Sequence, residues 1–330
     1  AVSLREGGCE YEGSLAGLLA QPGNLLRPRY WSMVSDLVRF YRKGYSRAHS
    51  GPTDESLAEF LRREGYGTAL TEDHLLPMAA AIWSCSARTM LDYPVRSFLQ
   101  FMENHKLLNF IDRPQWRTVK GGSREYVNRL IDTLGGMDGG RVHLNTNITG
   151  IRRDQGGVIL SIEGQGDVWF DKVVMAAHAD QSLAMITDAT VLERDILSSF
   201  QFQPNRAVLH SDPSLMPKRR AAWGSWNYIG SHEGEESLCL TYWMNKLQSI
   251  DNAYPLFETL NPHREPHPAL VHGTYSYDHP MFDERALKGQ QRLPMIQGTG
   301  DLFFAGAWTG HGFHEDGLKS AIAVARTLGV

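Results

Sequence analysis

The residues best suited to chemistry lie near the end of the 330-residue chain. They read Asp301-Leu302-Phe303-Phe304-Ala305-Gly306-Ala307-Trp308-Thr309-Gly310-His311-Gly312-Phe313-His314-Glu315-Asp316-Gly317-Leu318, and the chain continues to Val330. The pattern predicts a short buried strand over Leu302 to Ala305, a glycine-rich turn, and a helix from Gly317 to Leu328. Such a junction can cradle a phosphate or an electron-rich ring. Small residues let the backbone approach, and the first helical N–H groups point at the ligand. The spacing alone fits an ordinary strand-to-helix connection equally well. His311, His314 and Glu315 lack the helical His-Glu-x-x-His arrangement, and no Cys or His pair completes a ligand set, so no metal is expected. The absence of a G-x-S-x-G elbow disfavours a serine hydrolase.

A second group is aromatic. Trp223, Trp226, Tyr228, Tyr242 and Trp243 fall on neighbouring segments rich in Trp, Tyr and Thr, as half-buried strands are. Most of such rings serve packing. Side chains alternate along a strand, so only one of Tyr242 and Trp243 can face any given site.

The elements that must position these residues differ between the two parts of the chain. Residues 15 to 113 read as helical. Tyr30, Trp31, Val34, Leu37, Val38 and Tyr41 share one predicted helical face. Thr53 is the expected N-cap of the helix carrying Leu57, Phe60 and Leu61. Pro77 must sit early in its helix or kink it. Ser123 to Leu134 reads as a helix with Tyr126, Val127, Leu130 and Ile131 inward. Strands are expected over Arg141 to Leu144, Ile148 to Arg152, Val158 to Ile162, Val168 to Phe170 and Lys172 to Ala177, a meander feeding a buried strand. A second β-rich zone follows from Ala207. Length allows one large domain or two interleaved ones. The net charge of −4 and the lack of a basic run argue against nucleic acid, and Lys218-Arg219-Arg220 reads as a solvated turn. Three scattered cysteines, Cys9, Cys85 and Cys239, point to a reducing, cytoplasmic compartment rather than a disulfide framework.

Several short motifs, in this order, carry a resemblance. They are Pro77-Met78-Ala79-Ala80-Ala81-Ile82-Trp83-Ser84, Asn104-His105-Lys106-Leu107-Leu108, Pro114-Gln115-Trp116-Arg117-Thr118-Val119-Lys120-Gly121-Gly122-Ser123, Tyr242-Trp243-Met244-Asn245, Leu260-Asn261-Pro262 and Gly312-Phe313-His314-Glu315-Asp316-Gly317. Through nearly its whole length the chain resembles the FAD-dependent amine oxidoreductases, the group of monoamine oxidase and phytoene desaturase. Within it, the chain most resembles bacterial NAD/FAD-binding oxidoreductases whose relatives are fused to plant cyclopropane fatty acid synthases. The resemblance implies an α/β chain in which an incomplete Rossmann-like FAD domain interleaves with a substrate domain of helices and a mixed β-sheet. It assigns 1–115 and 190–294 to the substrate domain, and 116–189 and 295–330 to the FAD domain.

Carried over residue by residue, the resemblance implies FAD contacts at Ile148, Gly306, Ala307, Trp308, Asp316, Gly317 and Leu318. It leaves His314 and Glu315 as the candidates for proton transfer. It implies a substrate surface of Trp223, Trp226, Tyr242, Trp243 and Asn245. The family's G-x-G-x-x-G unit and its ribose-binding acid are absent, and Ala307 stands where many relatives carry an acidic residue. Together with a hairpin-like start lacking Met, this gives the expectation of a missing upstream dinucleotide-binding unit. The implied activity is hydride transfer to FAD from an apolar small molecule, by analogy a fatty acyl chain or other lipid, which would also allow peripheral membrane contact. The alternatives are an amine oxidase that releases peroxide and a non-catalytic, partner-binding remnant unable to hold FAD.

Overall fold

A computed structural model describes residues 1–4, 7–52, 54–83, 90–109, 117–230 and 239–330. Its strands, in chain order, are β1 (Val2–Leu4), β2 (Cys9–Tyr11), β3 (Ile148–Asp154), β4 (Gly157–Ile162), β5 (Gly166–Phe170) and β6 (Val173–Met175), followed by β7 (Gln201–His210), β8 (Trp226–Ile229), β9 (Leu240–Trp243), β10 (Phe257–Leu260), β11 (Val271–Met281) and β12 (Leu302–Phe304). Its helices of seven residues or more are α1 (Pro28–Ser50), α2 (Leu57–Arg63), α3 (Leu76–Trp83), α4 (Val95–Asn104), α5 (Arg124–Gly136), α6 (Ala179–Met185), α7 (Val191–Leu197), α8 (Glu284–Arg292) and α9 (His314–Leu328). The chain is a mixed α/β protein. It divides into one unit of Ala1–Val127 with Pro204–His279, and another of Asn128–Gln203 with Pro280–Val330.

The first unit joins a helical layer to a seven-stranded mixed sheet of order β11-β7-β10-β9-β8-β1-β2. α1 starts at Pro28, whose missing N–H costs nothing at a helix start. Its buried face is Tyr30, Met33, Leu37, Phe40, Gly44 and Ala48. That stripe is rotated from the expected one, and Trp31 points outward. α2 is capped by Ser56, which accepts from the Glu59 N–H while Glu59 returns a bond to the Ser56 N–H. The expected cap, Thr53, lies outside the described residues, as do Ser84, Cys85 and Pro114 to Trp116. A π-turn over Thr71–Leu75 runs directly into α3, where Pro77 sits in the first turn. One face of the sheet, through Ala207, Leu240 and Leu260, packs on Ala80 and Ala81 of α3. The other carries a buried polar ladder. His210 Nε2 lies 2.8 Å from Thr259 Oγ1, itself 2.8 Å from Thr241 Oγ1, and Asn227 Nδ2 donates to the Thr241 carbonyl.

Lys218-Arg219-Arg220 is not a free surface turn. The Lys218 and Arg219 N–H groups and the Arg219 guanidinium all donate to the carboxylate of Glu10, which is wholly buried. A charge removed from water is tolerable only with such partners.

In the second unit β3, β4 and β5 form an antiparallel meander. β6 and β12 form a parallel pair, with Leu302, Phe303 and Phe304 opposite Val173, Val174 and Met175. Met175, Phe304, Ile151, Ile196, Phe200 and Trp308 share one core. Two expectations fail here. Arg141 to Leu144 joins no ladder, and Leu144 is exposed. α5 forms, but none of its residues is buried, and Leu130 is 64% exposed. Amphipathic patterning makes a helix; only a covering element makes its face a core, and no described residue covers this one. Among the described residues no helix is long and apolar enough to cross a membrane, and no cluster of ligating side chains could hold a metal ion.

Candidate functional site

β6 and β12 run parallel, so both carboxyl ends emerge on the same edge, where open α/β sheets bind their ligands. Both ends are built from small residues: Ala176 and Ala177 after β6, Ala305, Gly306 and Ala307 after β12. Gly306 has φ +154°, and a Cβ there would stand 2.5 Å from Trp308 Nε1, so only glycine fits. Trp308 is 2% exposed. Its indole N–H donates to the Ala177 carbonyl at 3.1 Å, tying the two strand ends together, and its ring meets Phe200 edge-on. The turn is held further by Gly306 N–H to Ser320 Oγ and by Gln290 Nε2 to the Trp308 and Gly310 carbonyls.

α9 begins three residues earlier than predicted, at His314. Asp316 accepts from the His311 and Phe313 N–H groups, closing the loop before the helix. Its carboxylate is thus used within the chain. Gly317 follows in the first turn, and a Cβ there would meet nothing of the protein closer than the Ala307 nitrogen at 3.7 Å. The protein's own packing does not demand a glycine at that position. Leu318 is 56% exposed. His314 and Glu315 are also exposed, and Glu315 faces Lys319 one turn along, 3.9 Å away on the helix surface. Ile148 begins β3, half-buried against the core. Gly306, Ala307, Trp308, Asp316 and Gly317 therefore come together at the strand ends. Ala176, Ala177 and His178 belong to the same edge and were missed by sequence reasoning. Their signal was an apolar strand ending in small residues.

The expected substrate residues of the first unit divide between the two faces of its sheet. Trp226 and Tyr242 are paired across β8 and β9, with rings edge-to-face at 5.5 Å, on the face that packs on α3. Trp243 lies on the opposite face, edge-to-face with Trp223, and the Arg220 guanidinium sits 4.1 Å over the Trp223 ring. Asn245 is buried and spent on the following loop. Its amide donates to the Asp251 and Tyr254 carbonyls and its oxygen accepts from Leu256 N–H. Trp223, Trp243 and Asn245 hold the structure of that region, whereas Trp226 and Tyr242 are half-buried on one apolar face. Sequence reasoning also passed over Glu258, opposite Tyr242 on β10. Burial pushes its carboxyl above the ordinary carboxylate range.

Residues 20–206, more than half of the chain, match the family described as flavin containing amine oxidoreductase. The chain belongs to that family. FAD is the cofactor this membership implies. Solved structures share the fold of this flavin-containing amine oxidoreductase. A CLA-producing fatty acid isomerase from P. acnes is 17% identical with a TM-score of 0.62, over 98% of this chain and 78% of that one. A putrescine oxidase bound to putrescine is 11% identical with a TM-score of 0.59, over 90% and 76%. Cyclohexylamine oxidase from Brevibacterium oxydans IH-35A is 14% identical with a TM-score of 0.57, over 90% and 75%. No curated protein matches the sequence. The small residues at both strand ends and the helix start beyond them fit a flavin nucleotide. The 330 residues hold no G-x-G-x-x-G loop, and Ala307 has no side-chain group that could hydrogen-bond a cofactor.

Proposed function

We propose that this chain is an FAD-dependent oxidoreductase that takes a hydride from an apolar organic substrate. The observation that carries the reading is the paired carboxyl edge of β6 and β12, where residues 176–177 and 305–307 are all Ala or Gly. Bound there, FAD supplies the hydride-accepting ring. The residues around it bind and shape. Gly306 and Ala307 leave room for close approach, Trp308 fixes the two strand ends, and the first turn of α9 offers its dipole to negative charge on the cofactor. His314 and Glu315, exposed at the start of α9, are the candidates for proton transfer. The Trp226–Tyr242 face of the first unit is the substrate surface in this reading. It offers an apolar body edge and face contacts.

The test is the visible spectrum of the protein produced from its complete reading frame. Flavin bands that bleach anaerobically with an apolar donor are expected. A protein without flavin bands after addition of FAD overturns the reading. Amine oxidation is the second reading, favoured by the family match. It predicts peroxide release with an alkylamine, and silence across an amine panel removes it.

A further inference from the structure

Several polar side chains around the β6–β12 edge are spent on the protein itself. The Trp308 indole N–H goes to the Ala177 carbonyl, and the Thr309 hydroxyl to the Gly306 carbonyl at 2.8 Å. The Ser320 hydroxyl goes to the Gly317 carbonyl at 2.7 Å, and the Gln290 amide to the Trp308 and Gly310 carbonyls. These groups hold the turn and have no donor left for a ligand. His178, the first residue after the two alanines that follow β6, differs from them.

Its ring lies flat on Phe202, with centroids 4.2 Å apart and planes within 8° of parallel. Phe202 packs in turn on the core of the second unit, so the imidazole plane is fixed. His178 is also the N-cap residue of α6. Its ring leans towards the Gln181 N–H, but that group is given to the Asp180 carboxylate at 2.8 Å, and the buried Nδ1 makes no hydrogen bond. The free backbone groups at a helix start are N–H donors. A proton on Nδ1 would face donors and find nothing to accept it. Nδ1 therefore keeps its lone pair, and Nε2 carries the ring's proton. Nε2 is not among the buried unpartnered atoms, and no described residue accepts from it. The result is an N–H donor fixed in plane and in tautomer beside the small residues of the edge. An asparagine or serine would cap α6 better and leave no buried nitrogen unpaired, so capping does not explain the imidazole.

We infer that His178 is a positioning residue for FAD, donating a hydrogen bond through Nε2 to an acceptor atom of the cofactor. The inference rests on the reading of this edge as the place of FAD. The cofactor carries acceptors in its phosphates, its sugar and ribityl oxygens and its flavin ring. A donor already held in one plane narrows the ways in which such a molecule can lie, and no ordering of that side chain is left to be done on binding.

Two amide side chains separate the roles of the ring. Asparagine places its amide near the position of Nδ1, and glutamine near that of Nε2. FAD affinity is measured by titration of flavin fluorescence, and Tm by scanning fluorimetry, on the protein from its complete reading frame. His178→Asn removes the outer donor but caps the helix well. FAD should bind it about threefold to tenfold more weakly, with Tm kept or raised. His178→Gln keeps the donor but caps poorly. Its affinity should stay within about twofold of the unaltered protein while Tm falls. Nitrogen NMR spectra of the histidine-labelled protein, assigned by the signals that either variant lacks, should show a bare Nδ1 and a protonated Nε2 whose signal moves when FAD is added. Unchanged affinity in His178→Asn, an equal loss in both variants, or a proton on Nδ1 overturns the inference and leaves the FAD reading intact. Failure of the unaltered protein to bind FAD overturns both.

Discussion

Replacing Gly317 with alanine separates what the fold needs from what a cofactor needs. In the first turn of α9 the new Cβ would meet only the Ala307 nitrogen, at an ordinary contact distance of 3.7 Å. The methyl therefore fits the protein. Alanine also forms helix better than glycine and restricts the unfolded chain, which together stabilise by about 0.5–1 kcal/mol. For a chain of this size that raises Tm by about 1–4 °C. If the first turn of α9 lies against FAD, the same methyl intrudes on the ligand. Overpacking of that kind costs about 1–3 kcal/mol. FAD affinity should then fall by a factor of roughly 5 to 150. Differential scanning fluorimetry gives the first number, and titration of flavin fluorescence gives the second. A raised Tm with unchanged FAD affinity would refute the placement of the cofactor at Gly317. A lowered Tm would refute the packing argument itself.

Gly306→Ala should behave in the opposite way. Its Cβ collides with the Trp308 indole, so a loss of about 2–4 kcal/mol is expected in thermal unfolding, with a changed tryptophan emission. Glu10→Ala leaves the Arg219 charge and two N–H groups without their partner and should cost about 3–5 kcal/mol in urea unfolding, with Glu10→Gln milder. Burial holds the imidazole of His210 below its ordinary pKa of 6.5, against the opposing pull of Asp212. Below pH 6.5 the unfolded chain therefore binds more protons than the folded one. Its contribution to stability is complete above pH 6.5 and is lost as the pH falls below that value. Thermal scans from pH 7.5 to 5.5 should show a declining Tm, and His210→Gln should flatten that decline.

Much of the carboxyl edge of β12 was legible because its signals are local. An apolar run, a cluster of glycines and an amphipathic stretch define β12, the turn and α9 without reference to distant residues. What the sequence left open was which partner each side chain finds in the fold. Trp308 read as a turn residue near a ligand, yet its indole closes the gap to Ala177. Asn245 read as a polar substrate contact, yet four bonds commit it to its own loop. Period two separated Tyr242 from Trp243 in the sequence, but only strand register showed that Trp226 goes with the first and Trp223 with the second. The face of α1 was misjudged because Trp31 is as apolar as its neighbours, and nothing in periodicity says which of two adjacent stripes finds a partner. Glu258 was invisible for the converse reason. One acid in a strand looks solvated until both neighbouring strands are placed.

The pairing of β1 with β8 also sets an order of assembly. Val2 meets Tyr228, and Glu10 receives its bonds from Lys218 and Arg219, more than two hundred positions later. At a synthesis rate of about 5–20 residues per second, the first hairpin waits on the order of ten to forty seconds for its neighbours to leave the ribosome. During that interval the Glu10 carboxylate must remain hydrated, which keeps the nascent hairpin open and its edge free. The second unit's stretch from Asn128 to Gln203 emerges in between, so its meander can form while the first sheet is still incomplete. Closure of the seven-stranded sheet is thus a late, long-range step, and the loop it closes makes it slow.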